Sequence, residues 1–240
     1  MNLVGSLDNA QDQNLQFERW WCAKGDWVEE PNQRRGGESG VQLVRESQSL
    51  PVYIKRQTGH LYRTLLHPFG RPTILRERAV YKALSSVGIN TPKLIYSAAR
   101  KHDGEWQALL VTEALEGYVD LETWYSQWHS EDFNALLIKE LAIMLARLHC
   151  SGWQHGCCYP KHIFARATVD SFGTPQVEVA LLDLEKSRKR WAARKAAEKD
   201  LAQLIKHRKN VPLEHLLLLK RLHLEYLSVL SLGDARNGQS

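Results

Sequence analysis

Apolar and polar residues alternate early in the chain at Val41–Val44 and Val52–Lys55, and each stretch reads as a strand because side chains along a strand point to opposite faces in turn. The polar run Glu46–Ser49 between them reads as a turn, and the glycines Gly36, Gly37 and Gly40 ahead of them as a glycine-rich turn leading into the hairpin. From Thr73 the period changes: Leu75, Ala79, Val80, Ala83, Leu84 and Val87 recur at helical spacing, with Thr73 as N-cap and Gly88 as the stop. Lys93–Ser97 and Ala108–Glu113 read as strands, the second apolar enough to lie inside a sheet. The pattern then turns helical. Ser130 caps a helix whose buried face is Phe133, Leu137, Leu141, Met144, Leu145 and Leu148, and Gly152 closes it. Short strands over His162–Ala167 and Val177–Leu182 and helices over Trp191–His207 and Pro212–Leu230 follow.

These elements predict an α+β chain of two lobes: a small, mostly antiparallel five-stranded lobe with one helix over residues 17–113, and a larger helical lobe over residues 114–230. Residues 1–16 are polar without periodicity and predict a loose leader; Phe17, Trp20, Trp21 and Trp27 then bring in side chains large enough to bury, and residues 231–240 are expected as a tail. At 240 residues the chain is long enough for such a pair of lobes, given roughly 100–200 residues per domain. Its 43% hydrophobic and 25% charged residues exclude a disordered or fibrous chain.

A net charge of +5 favours anionic partners: nucleotide phosphates, phosphorylated glycolipid, a membrane surface or nucleic acid. No nucleic-acid-binding signature accompanies the basic run Lys186, Arg188, Lys189, Arg190, Arg194, Lys195 and Lys199, which reads equally well as a solvated helix face. The N-terminus has no basic segment followed by an apolar one, so export is not expected. The most apolar stretch, Leu213–Leu230, is broken by His215, Lys220, Arg221, His223 and Glu225 and does not read as a membrane span. Cys22, Cys150, Cys157 and Cys158 include two chain neighbours, which suits reduced thiols better than a disulfide framework. A cytoplasmic protein is expected, with any membrane contact peripheral. Nothing in the pattern sets an oligomeric state.

Phosphoryl transfer needs groups that hold phosphates, bind metal and orient the acceptor hydroxyl, and kinase-like folds supply them in a fixed chain order. Gly36, Gly37 and Gly40 come first, where missing side chains let backbone N–H groups approach phosphate; most such turns are ordinary hairpins. Lys55 follows on a strand, and Glu77, 22 residues on in the first helix, is placed to pair with it. Read alone, each is a surface charge. The segment Leu109–Leu115 leads into a hinge whose backbone at Glu113 and Leu115 would bond an adenine edge. His155 and His162 are seven positions apart, the spacing of the first histidine and the metal-binding asparagine in a kinase catalytic loop, so His162 stands at a metal position. Asp183 ends an apolar strand, where a magnesium-binding aspartate belongs, and Asp200 is placed to anchor the loop from the next helix. A competing reading makes His149, Cys150, His155, Cys157, Cys158 and His162 a zinc site, or Cys157 and Cys158 a redox pair; the ligand spacing is unlike that of a zinc finger.

Strand lysine, helix glutamate, the run from His155 to Ile163, the run from Leu181 to Arg188 and the Lys199-Asp200-Leu201 triplet together resemble the lipopolysaccharide kinase (Kdo/WaaP) family over about residues 17–205. The resemblance implies a protein-kinase-like fold, ATP and Mg2+ as cofactors, a Kdo or heptose hydroxyl of lipopolysaccharide core as acceptor, and work at the cytoplasmic face of the inner membrane. Active members carry an aspartate where this chain has Cys157. A thiol, with an ordinary pKa of about 8.5, is a mediocre proton acceptor at neutral pH. The alternative is therefore a pseudokinase that binds nucleotide or a partner without turnover, with a stress-response role, and a zinc or redox regulator stands behind it.

Overall fold

Strand β3 (Val52–Thr58) buries Val52 and Ile54 and leaves Tyr53 and Lys55 partly open, the alternation expected of a strand whose two faces meet different surroundings. It lies at the centre of a five-stranded sheet. The computed structural model describes residues 4–34, 36–45 and 50–237, and these form two units, Met1–Ala79 with Lys93–Ala114 and Val80–Pro92 with Leu115–Ser240.

In the first unit β1 (Asp26–Arg34), β2 (Gly37–Val44), β3, β6 (Leu94–His102) and β7 (Glu105–Glu113) pair antiparallel in the order β1-β2-β3-β7-β6. In the register, Lys55 stands opposite Leu110 of β7. Ala108 to Thr112 are buried without interruption because both faces of β7 are covered. Val44, Val52, Ile54, Leu109 and Val111 form the core with Phe17, and Trp20, Trp21 and Tyr96 pack against it.

Phe17, Trp20 and Trp21 belong to a helix, α1 (Val4–Cys22), so the loose leader expected over residues 1–16 is corrected from residue 4 onward, and this unit has a second helix. Tertiary contacts hold α1 where periodicity is weak: the Arg100 guanidinium bonds Asn14 (3.2 Å) and Glu18 (2.6 Å) and lies over the Phe17 ring. Arg56 donates to the Trp20 carbonyl at 2.9 Å, meeting one of the acceptors that a helix C-terminus leaves open. A hairpin of β4 (Leu61–Thr64) and β5 (His67–Pro72), read from sequence only as a stretch holding Pro68 and Gly70, forms a separate two-stranded sheet. The expected turn at Glu46–Ser49 lies outside the described residues.

Helix α2 (Thr73–Ser86) begins at the expected residue but with a different cap. The Thr73 hydroxyl donates to Gln57 Oε1 (2.9 Å) and lies 2.9 Å from His60 Nδ1, while the Ile74 N–H donates to Gln57 Oε1 (3.3 Å). Gln57 of β3 therefore meets the first turn's donors. The buried face is Ile74, Glu77, Val80, Tyr81 and Leu84, whereas Ala79 and Val87 are exposed. Val80 and Leu84 hold their expected places in this face, while Leu75 and Ala83 are only half-buried, so the stripe is turned from the expected one toward Ile74, Glu77 and Tyr81. The units divide α2 after Ala79, which a single boundary after residue 113 did not anticipate.

The second unit is built on α4 (Glu131–Cys150), capped by Ser130 and buried along Leu137, Ile138, Leu141, Ala142, Leu145 and Leu148. Around it stand α5 (Ala193–Lys206), α6 (Leu213–Asn237), the short α3 (Leu121–Trp124) and a three-stranded sheet of order β11-β10-β8, from Pro175–Leu181, Ile163–Val169 and Val119–Asp120. β9 (Trp153–Gln154) pairs with β12 (Arg188–Lys189). His162 lies in a 3-10 turn, Pro160–His162, so the strand expected from His162 starts at Ile163. Trp191 is exposed outside α5, and α6 continues to Asn237, past the expected start of the tail. Among the described residues no helix is long and apolar enough to cross a membrane.

Candidate active site

In the first unit, strand alternation turns Lys55 away from the α1 core, and its ammonium reaches Glu77 of α2 at 2.8 Å. The side chains are 18% and 4% exposed, so the pair is largely withdrawn from water, unlike a surface ion pair worth roughly 0–1 kcal/mol. The glycines have packing reasons. A Cβ at Gly37 would fall 2.2 Å from the Thr58 carbonyl and the His60 amide, and one at Gly40 would fall 2.8 Å from the Trp27 ring. Gly36, at φ +70°, opens onto a hollow of about 690 Å³ lined also by Glu38 and Glu105, carboxylates that disfavour phosphate. Close packing against neighbouring strands and a tryptophan ring therefore requires glycine at positions 37 and 40 on its own account. At the expected hinge the Glu113 amide donates to Lys93 O (2.9 Å) and the Ala114 amide to Pro51 O (2.8 Å), and the Leu115 carbonyl accepts from Tyr118 N (3.3 Å).

In the second unit the loop after β9 is fixed by one carboxylate. Asp200 of α5, fully buried, accepts from the His155 amide (2.7 Å), the Gly156 amide (3.0 Å), Gln154 Nε2 (3.5 Å) and His149 Nε2 (3.2 Å). Burial alone would raise its pKa, but the bonds from His149, Gly156 and His155 outweigh it and hold the carboxyl below its ordinary value. His155 Nε2 donates to Leu182 O (2.9 Å), its Nδ1 accepts from the Cys157 amide (3.1 Å), and its carbonyl accepts from Ser187 Oγ (3.0 Å). Burial lowers the His155 pKa, as suits a neutral ring with one donor and one acceptor nitrogen. The Leu182 amide donates to His162 O (2.9 Å), so one residue, through its N–H and its C=O, ties the loop to the segment carrying Asp183.

Asp183 itself adopts φ 56°, ψ 62°, a left-handed conformation uncommon outside glycine and best tolerated by aspartate and asparagine. His162 Nδ1 donates to Cys157 O (2.8 Å) and lies 3.5 Å from Asp183 Oδ2. Burial pushes the Cys157 thiol up to about 11, with the Asp183 carboxylate adding to the rise and Lys186 opposing it. The thiol is therefore protonated at neutral pH. Ligand atoms of Cys157, His162 and Asp183 all lie within 4.8 Å of one another. Magnesium takes oxygen ligands at about 2.0–2.1 Å in octahedral geometry. Of this set only the Asp183 carboxylate is a magnesium ligand, so a magnesium there would draw its other ligands from water and nucleotide phosphate, and the His162 imidazole does not suit it.

The sequence block read as a zinc alternative is dispersed. His149 bonds Asp200 and His223, Cys150 lies against Leu227 O and Ser231, and the Cys158 amide donates to Gln203. His223, which the sequence reading used only as a break in an apolar stretch, has Nε2 2.8 Å from His149 Nδ1. A histidine between Leu222 and Leu224 in a leucine-rich run was the available signal for it. Gln57, Gln154, Gln203 and Ser187 gave none.

Burial first, then the neighbouring His149, lowers the His223 pKa to about 4. Between that value and about 6.5 the unfolded chain binds a proton that the folded chain refuses, so stability present at neutral pH falls as pH drops through this window, by up to about 3 kcal/mol. Urea unfolding at pH 7 and pH 4.5 should show a loss smaller in His223→Gln than in the wild type. Equal losses would remove His223 from the account.

The α+β architecture is a protein-kinase-like fold, and solved structures of kinases share it. WaaP in complex with acyl carrier protein superposes at TM-score 0.64 with 20% identity, covering 88% of this chain and 82% of that one. Amicoumacin kinase hAmiN, solved with AMP-PNP and Ca2+, gives 0.54 with 11% identity over 94% and 80%, and the Rio2 kinase of Chaetomium thermophilum, an ADP/Mg2+-phosphoaspartate complex, gives 0.53 with 15% identity over 80% and 57%. The model of the lipopolysaccharide kinase (Kdo/WaaP) family matches residues 18–218, and the chain belongs to that family. Protein InaA of Escherichia coli (strain K12) is 42% identical over 201 residues, 82% of this chain and 90% of that protein.

Proposed function

We propose that this chain binds ATP through Lys55 and passes its γ-phosphoryl group slowly to a hydroxyl of a Kdo- or heptose-type lipopolysaccharide core sugar. The Lys55–Glu77 pair at 2.8 Å carries the reading. A largely buried ion pair is weak as a source of stability, so the natural use of this one is to hold an ammonium in position for phosphate. The family membership supports the reaction class and the acceptor class. His155 and Asp200 hold the loop backbone, and Asp183 supplies a carboxylate at a fixed place.

The slow rate follows from Cys157. A buried thiol with its pKa near 11 does not accept the acceptor hydroxyl's proton, which is left to water. Losing a positioned base costs about 10²–10⁴-fold, because a loose phosphoryl-transfer transition state depends mainly on positioning and charge. A second reading, nucleotide binding with no transfer, draws on the same thiol.

Thermal stability with and without ATP, in magnesium or manganese, tests the binding. Ligand at 100 times its Kd should stabilise the wild type by about 2.7 kcal/mol and should fail to stabilise Lys55→Ala or Asp183→Asn. A shift that persists in Lys55→Ala would sink the role given to the lysine. Phosphate release and sugar phosphorylation by the wild type then separate the two readings.

A further inference from the structure

We infer that Cys157, His162 and Asp183 form a site for a borderline divalent cation of the zinc class, bound by thiolate, imidazole and carboxylate with a fourth position open. The site shares Asp183 with the nucleotide reading above but does not need nucleotide to form. Three donor types come from three segments: the loop after β9, the 3-10 turn, and the left-handed residue after β11. Their ligand atoms lie within 4.8 Å of one another. In a tetrahedral zinc site, bonds of about 2.0–2.3 Å place ligand atoms roughly 3.3–3.8 Å apart. Side-chain rotation of about an ångström closes the difference.

The backbone already holds the three together. His155 bonds both the Cys157 amide and the Leu182 carbonyl, Leu182 precedes Asp183, its amide bonds the His162 carbonyl, and His162 Nδ1 bonds the Cys157 carbonyl. Sulfur, nitrogen and one carboxylate oxygen are zinc's donors rather than magnesium's. Binding exchanges the thiol proton for the ion and releases that proton to solvent. One thiolate and one carboxylate then balance the charge of a divalent cation, which suits a site where Cys157 is buried. Three protein ligands with an open fourth position make an exchangeable site, not a closed structural one.

The test uses the full chain, free of nucleotide, in a Cys22→Ser, Cys150→Ser background, which removes the two less buried thiols. Co2+ is titrated as the probe and then displaced with Zn2+. The expected result is one ion per chain, a thiolate-to-cobalt charge-transfer band in the near ultraviolet, displacement by zinc and none by excess magnesium. Cys157→Ser, nearly isosteric, should lose the band. His162→Asn and Asp183→Asn should each weaken zinc by at least about 10- to 100-fold, the loss that outer-sphere partners alone produce. Far-ultraviolet circular dichroism checks that each variant is folded. A band that survives in Cys157→Ser, cobalt bound without a thiolate band, or zinc affinity unchanged in folded His162→Asn and Asp183→Asn would overturn the site. Since no nucleotide is present, failure here leaves the ATP experiment standing, and failure there leaves this one.

Discussion

Cys157→Asp is expected to raise ATP-dependent phosphorylation of a lipopolysaccharide core sugar by about 10²–10⁴-fold. The gain comes from a carboxylate at the loop position where the thiol is now held protonated by burial and by the Asp183 carboxylate. The loop backbone does not depend on the thiol: the Cys157 amide bonds His155 and its carbonyl accepts from His162, bonds that aspartate keeps. The new carboxylate will stand close to Asp183, and two like charges there raise one of the two pKa values. The rate should therefore climb with pH until that group ionises. Initial rates against pH for the wild type and variant, with the ATP-induced thermal shift measured beside them, separate chemistry from binding. An unchanged shift with no gain in rate would favour nucleotide binding without transfer.

Asp200→Ala is expected to cost about 3–5 kcal/mol, the loss typical when one partner of a buried charged network is removed. Four donors converge on this carboxylate, two of them backbone amides of the loop holding His155 and Gly156. Each would be left buried without its acceptor, at about 1–3 kcal/mol for a group that finds no other. Asp200→Asn keeps the shape but turns an NH2 group toward donors, so it should fall between alanine and the wild type. Urea midpoints give the ranking. A loss below about 1 kcal/mol in Asp200→Ala would mean that other bonds hold the loop.

Elements with one dominant surrounding were legible from the chain. β3 alternates because its faces differ, β7 is continuously apolar because both faces are covered, and α4 carries a wide apolar stripe between a serine cap and a glycine stop. Legibility failed where polar groups settle the matter across long sequence distances. Gln57 caps α2 from 17 residues away and buries Thr73, a contact that periodicity does not encode. Arg100 fastens α1 from more than 80 residues away, and the prolines of the β4–β5 hairpin mask it as a loop. At the site, chain order marked His155, His162, Asp183 and Asp200, because the loop's spacing is local. Joining Cys157, His162 and Asp183 required the fold. So did the packing of Gly37 and Gly40, whose neighbours lie on other strands and a tryptophan ring.

The left-handed backbone at Asp183 bears on how tolerance to substitution would be read in this protein. In a mutational scan selected only for folded chains, β-branched and bulky residues should be depleted at this position whether or not the protein does any chemistry, because their Cβ clashes with the backbone. Glycine and asparagine should survive. Intolerance at Asp183 is then first a property of a turn, and only the contrast between aspartate and asparagine, which share the backbone and differ in charge, carries information about a ligand.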